Sequence, residues 1–179
     1  MSAAVAPSLG GSRPGEVAER LREAIAAEPG GVLEEMARRE GVSYRQVLDA
    51  LPSGQAVARS GAEFEPVWTS LAAWPGEITF IVHTADGVFE TRGSIPPGAF
   101  GRGYFNIHGD TPIGGHIRAE RCAAIYFVDR PFFGRRSCSV QFVNHDGDAM
   151  FKIFVGRDAT RELDPRQVSV FEAWWRDGI

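Results

Sequence analysis

Four histidines and two cysteines are a thin supply of metal-binding side chains for a chain of 179 residues. Cys122 and Cys138 are too few for the disulfide framework of a small secreted domain and form no C-x-x-C pair, so they read as free thiols in a reducing cytoplasm. There is no H-E-x-x-H and no Cys/His cluster at zinc-ligand spacing, which argues against a zinc enzyme. No apolar run approaches the roughly 18 residues that a membrane-spanning helix needs. Positive charge is short as well: 19 Lys and Arg against 23 Asp and Glu leave a formal net charge of −4. No general field therefore draws in nucleic acid or an anionic membrane, and any basic site is local. The first sixteen residues, "MSAAVAPSLGGSRPGE", lack both a basic n-region and a long apolar stretch, so residues 1–15 read as a flexible leader and not as a signal peptide.

What is present suits one folded domain over residues 16–179. Hydrophobic residues make up 44%, and 21 Gly with 11 Pro supply many turns. Val17, Leu21, Ala24 and Ile25 recur at helical spacing until "EPGG" at 28–31 stops the run. Val32, Leu33, Met36 and Ala37 predict a second helix ending at Gly41. Ser43 and Gln46 have the S-x-x-Q spacing of a capping box and open a third, which Pro52 ends. Phe64, Val67, Trp68 and Leu71 form the stripe of a fourth, so residues 16–75 read as helical. From Glu77 the period falls to 2, with runs at about 77–84, 87–94, 102–108, 113–119, 121–129, 136–144 and 149–155 separated by Gly, Pro, Asp and Asn. The connections are too short for crossover helices, which predicts a mostly antiparallel meander. Asp164-Pro165 opens a last helix, with Gln167 completing a box and Val168, Phe171 and Trp174 or Trp175 inward. The class is α+β, with helices at both ends of a run of about seven or more strands.

Two of the four histidines fall in "GYFNIHGDTPIGGHIR", residues 103–118. Alternation puts Tyr104, Asn106 and His108 on one side of the first strand and Phe105 and Ile107 on the other. His116 and Arg118 share a side of the second strand, and a hairpin would merge the two polar rows. Imidazole and phenolate both ligate haem iron, and arginine binds carboxylates through its planar fork. A surface or core role for each residue fits the spacing equally well. Arg102 and Arg118 are candidates for meeting a haem propionate. His83 ends an earlier strand, with Thr79 and Ile81 on its side, and His145 falls in a turn.

Taken in order, "GQAVARSGAEFEPVWTSLAAWPG", "VHTADGVFE", "GYFNIHG", "GGHIRAE", "GDAMFKIFVGRD" and "QVSVF" resemble the HutX/ChuX family of cytoplasmic haem-utilisation carriers, from about residue 17 to 176. The resemblance implies a curved antiparallel sheet with helices around it, like one half of the larger ChuS/HemS-type haem proteins. It implies a homodimer that binds haem (iron protoporphyrin IX) and hands it to a haem-degrading enzyme without redox chemistry of its own. It also implies haem-binding roles for His83, His116 and Tyr104, with Tyr104 and His116 as candidates for the iron ligand. His108 is not required by the family pattern and is a supplementary donor at most.

Two rivals belong to other classes. Residues 31–51 resemble a helix-turn-helix with Gly41 in the turn. The candidate recognition helix carries only Arg45 as a base and Asp49 as an acid, so its hold on phosphate would be feeble. A haem-degrading enzyme would need a protected distal pocket, which a sequence does not display.

Overall fold

The structure, a computed structural model, describes residues 14–176. The expected leader lies outside the described residues as far as residue 13, and Pro14 and Gly15 already belong to the first helix, α1 (Pro14–Ala27). The short α2 (Leu33–Glu40) ends on Gly41 at φ 65°, a left-handed value that a glycine adopts without strain. Ser43 then caps α3 (Tyr44–Asp49) through the expected box, its hydroxyl accepting from Gln46 N while Gln46 Oε1 accepts from Ser43 N. The helical stretch is then interrupted, because residues 56–60 form a strand, β1 (Ala56–Ser60). α4 (Phe64–Ala72) follows.

Eight more strands complete the sheets: β2 (Ile78–Thr84), β3 (Gly87–Gly93), β4 (Gly98–Gly101), β5 (Tyr104–Ile107), β6 (Gly115–Ile117), β7 (Cys122–Phe132), β8 (Arg135–Asn144) and β9 (Ala149–Phe154). They form a six-stranded sheet in the order β1-β7-β8-β9-β2-β3 and a separate three-stranded sheet, β4-β5-β6. Every pairing is antiparallel. The topology is only partly a meander, since β1 joins β7 and β2 joins β9 out of chain order. α5 (Pro165–Arg176) closes the described chain. No helix among the described residues is long and apolar enough to cross a membrane.

Period-2 alternation gives the large sheet two different faces. Ile125, Phe127, Val140, Phe142, Phe151 and Ile153 form one of them and bury against Phe64, Val67, Trp68 and Leu71 of α4, Phe171 and Trp174 of α5, and Phe105 and Ile107 of the small sheet. The aromatic rings interlock there, with Phe142 and Phe151 stacked at 4.4 Å and Phe64 meeting Phe105 edge-on at 5.2 Å. The opposite face presents Ala124, Tyr126, Val128 and Val143 to Leu21, Ile25, Leu33, Met36, Val47 and Leu48 of α1–α3. Those helices cover the β7–β8 side, and toward β2 and β3 a cleft opens between α2 and that face. The helix-turn-helix-like pair packs on the sheet: α3 has six residues, buries Tyr44, Val47 and Leu48, and keeps Arg45 within 3.8 Å of Asp49.

Gln167 does not complete a capping box. Its fully buried side chain donates to Pro75 O at 2.8 Å and Glu77 O at 3.1 Å and accepts from Gly156 N at 2.7 Å, so it stitches α5 to the entry of β2 and the exit of β9.

Candidate functional site

The hairpin β5–β6 forms with the expected faces. Phe105 and Ile107 are buried toward the large sheet, and Asn106 lies directly across from His116. The strands are shorter than expected, because Arg102 at φ 52° and Gly103 at φ 80° form the β4–β5 turn. Arg102 therefore occupies a turn, not the start of a strand. On the outer face the His116 and Tyr104 ring centroids are 6.0 Å apart, and those of His116 and His108 are 5.9 Å apart. Arg118 Nη2 donates to the Tyr104 hydroxyl at 3.2 Å, and its guanidinium carbon lies 5.4 Å from that ring's centre. His108, His116 and Arg118 are exposed and Tyr104 is half-buried. The neighbouring strand keeps this face low, since Ala99 stands across from Asn106 and Gly101 across from Tyr104. A phenol, two imidazoles and a guanidinium thus border a shallow, solvent-facing floor, a chemistry suited to a flat ligand with a metal centre and acidic substituents.

His83 is not part of this cluster. It lies on β2 beside Lys152 and Gln141, on the face of the large sheet turned away from the small sheet. The aromatic core lies between the two places. There His83 lines a cleft of about 530 Å³ bounded by Val32, Leu33 and Glu34 of α2, by Thr79 and Ile81 of β2, and by Phe132, Phe133 and Phe154 at one end. Glu34 is the centre of its electrostatics. Its carboxylate is in ion-pair contact with Lys152 and stands 3.5 Å from His83 Nδ1. Lys152 is the donor that the described residues bring into contact with this carboxylate. Burial pulls the Lys152 ammonium below the usual lysine range, and Glu34 partly opposes that shift. Beside them the Tyr44 hydroxyl bonds Gln141, burial holds that phenol well above its ordinary value, and Arg130 donates to Pro29 O at 2.8 Å and Gly31 O at 3.0 Å.

Glu34, Tyr44, Arg130 and Lys152 are members of this cleft that sequence reasoning passed over. Lys152 carries a local signal, a lysine inside the otherwise apolar run Met150–Phe154. Glu34 carries none, because its partner is more than a hundred positions away.

Residues 57–174 match the family described as haem utilisation ChuX/HutX. The chain belongs to that family. It is 33% identical over 159 residues to the intracellular heme transport protein HutX of Vibrio cholerae, covering 88% of this chain and 80% of that one. A crystal structure of a protein from Agrobacterium tumefaciens is 44% identical, covers 98% of this chain and 99% of its own, and superposes with a TM-score of 0.82. The heme-binding protein ChuX is 39% identical over 86% of this chain and 95% of its own, with a TM-score of 0.77. The expected likeness to one half of a larger fold is also found: the heme-degrading enzyme ChuS of Escherichia coli O157:H7 aligns along 49% of its length with 93% of this chain, at 15% identity and a TM-score of 0.67. At that identity the likeness concerns the fold alone. Within the ChuX/HutX family, this chain therefore presents two chemically distinct surfaces, an outer hairpin face and an inner cleft.

Proposed function

We propose that this protein binds haem inside the cell and carries it to a haem-degrading enzyme, acting as a homodimeric carrier and not as a catalyst. The observation that carries the reading is the outer face of β5–β6, where Tyr104, His108, His116 and Arg118 converge with no carboxylate among them. Tyr104 or His116 supplies the iron donor, His108 stands by as a supplementary one, and Arg118 meets a propionate. Membership of the haem-utilisation family and the 33% identity to a heme transport protein support the same ligand. His83 contributes through the cleft, and within one chain it does not share an iron with His116, because the core separates them. A partner copy is supported by the free edge of β3, which exposes Val88 and Phe89 at 52% and 69%.

A single axial bond on an open face suits delivery, since differences in affinity appear mostly in the off-rate. Titration of the purified protein with haem, followed through the Soret band, tests the reading: about one haem per chain is expected, and failure to saturate sinks it. The Tyr104→Phe, His116→Ala double variant is expected to lose the axial spectrum. A wild-type spectrum and affinity in that variant would remove both residues as ligands. Tyrosinate ligation gives ferric high-spin haem that is shed on reduction, whereas histidine ligation survives reduction. Reductant and oxygen are expected to leave the bound haem without enzymatic turnover to biliverdin-like products, and clean turnover would replace the carrier by an enzyme.

A further inference from the structure

Asn106 is the residue on the outer face whose chemistry the haem reading does not use. Its side-chain amide is held in one orientation by the backbone around it. Nδ2 donates to Gly101 O at 2.9 Å and approaches Tyr104 O at 3.2 Å and Ala99 O at 3.3 Å. Three carbonyls on that side leave no choice about which end of the amide is nitrogen, because a carbonyl accepts and does not donate. Oδ1 must then face the other way, and it stands 2.7 Å from His116 Nδ1. An amide oxygen is an acceptor only, so Nδ1 carries the proton.

A neutral imidazole has one N–H and one lone pair. With the proton fixed on Nδ1, the lone pair is on Nε2, at the outer end of an exposed ring. That is the tautomer a metal-binding imidazole needs when it coordinates through Nε2, and it is the opposite of the one an unconstrained imidazole favours in water. Metal-ligating histidines are commonly held in this way, through the other ring nitrogen. Tyr104 is placed differently: its oxygen already accepts from Arg118.

Resting on the haem reading above, we infer that Asn106 is a positioning residue that locks His116 as its Nδ1–H tautomer and so presents Nε2 as the iron donor of the carrier. The β4–β5 turn is part of the device. Gly101 supplies a clamping carbonyl, and a Cβ there would come within 3.2 Å of Asn106 Nδ2. The register Asn106↔His116 brings donor and acceptor face to face. Asn106 touches no ligand itself and acts only through the ring it holds.

The first test needs no haem. Long-range proton–nitrogen correlation spectra of the haem-free protein at about pH 8, above the ordinary imidazole range, report the tautomer of each of the four histidines. His116, assigned by its loss in His116→Gln, is expected to be Nδ1–H, and an Nε2–H pattern overturns the inference. The second test compares two variants by haem titration and absorption spectrum, with near-UV circular dichroism as the check on folding. Asn106→Asp keeps an acceptor for His116 Nδ1 but gives up the donors to Gly101 O, Tyr104 O and Ala99 O, so it is expected to retain the Nδ1–H tautomer and the axial spectrum with part of the haem affinity lost. Asn106→Leu removes the acceptor and is expected to lose the tautomer preference and weaken haem about 10–100-fold. Wild-type haem affinity and spectrum in a folded Asn106→Leu overturn the positioning role. If Asn106→Leu does not fold, the wild-type tautomer and the Asn106→Asp spectrum decide the matter. Failure of the wild-type protein to take up haem overturns the functional reading and the iron role of Nε2 together, and the tautomer spectrum then shows separately whether the Asn106 lock itself exists.

Discussion

Lys152→Met is the perturbation whose size the structure sets most tightly. Lys152 and Glu34 expose 9% and 10% of their side chains, and each is the other's main electrostatic compensation. Apart from Lys152, the described residues give Glu34 only His83 Nδ1 at 3.5 Å, too long for a strong hydrogen bond that would replace the ammonium. Removing Lys152 leaves a carboxylate in a largely desolvated place. Breaking a buried pair from one side costs about 3–5 kcal/mol, and the open mouth of the cleft puts this one near the lower end. Glu34→Gln is expected to cost a similar amount by stranding the ammonium. The double variant removes both desolvation penalties, so its cost falls well below the sum of the single ones. Urea unfolding of the four proteins, followed by far-UV circular dichroism, gives the cycle, and a coupling of about 2 kcal/mol or more is expected. Single variants costing under about 1 kcal/mol, with additive effects, would refute the reasoning by showing that water already solvates the pair. Such an ion pair adds little net stability over a well-packed apolar pair.

Burial raises the Cys122 thiol to about 11 and the Cys138 thiol to about 12, so both are expected to be inert to a thiol reagent at about pH 8 and to react in stoichiometric amount once the chain is unfolded in urea. Fast labelling of the native protein would contradict that burial. Folded-state values are also raised for the Tyr44 phenol and for Tyr126, the latter to about 12. These groups keep their protons in the folded chain where the unfolded chain has lost them, so stability is expected to fall from about pH 9 upward, as free thiols and then free phenols ionise. A urea midpoint that stays flat from about pH 8 to 11 would refute this. Gly61→Ala is expected to destabilise by about 1–3 kcal/mol or more, because its Cβ would fall 2.0 Å from Cys122 O, a backbone atom that cannot swing aside. Gly15→Ala, with nothing within 4 Å and a place in α1, is the contrasting control, expected to be neutral or to stabilise by up to about 1 kcal/mol in the same melting experiment.

The helical stripes and the hairpin faces were legible because each is a local pattern repeated enough to exceed chance. Phe64, Val67, Trp68 and Leu71 all bury as their spacing predicts, and Phe105 and Ile107 alternate with Tyr104 and Asn106 as a half-buried strand must. β1 was not legible. "AVARS" has small residues where strands usually show bulk, and it is a strand because β7 offers it an edge. β4 hides for a related reason: "GAFG" has one large side chain, and Gly98 is small because a Cβ there would meet the Phe105 ring at 2.1 Å. Gln167 shows a different failure, since the same spacing serves a capping box and a buried bridge, and only tertiary contacts choose between them. The cleft is the extreme case. Glu34 and Lys152 belong to segments that meet only because α2 packs across the sheet, so no local window contains both.

The separation of His83 from His116 bears on how a carrier of this design would release its cargo. Alternation within each sheet, together with the packing of the small sheet on the large one, puts the two residues on opposite sides: His83 shares its face with Gln141 and Lys152, whereas the hairpin packs through Phe105 onto Phe142 and Phe151 by way of Phe64 and Trp68. Stacked layers stand about 10 Å apart, far beyond the length of an iron–nitrogen bond. Two strong axial donors on opposite faces of one haem would trap it, but this fold keeps His83 of the cleft and His116 of the hairpin from meeting on one metal. In the proposed carrier the candidate donors Tyr104, His116 and His108 all stand on one open face, so an acceptor that offers its own ligand from the solvent side competes for the iron without having to unfold anything. If haem bound to a single-chain form proved to be bis-histidine ligated by His83 and His116, the layer arrangement would have to open, and the account of release built on it would fail.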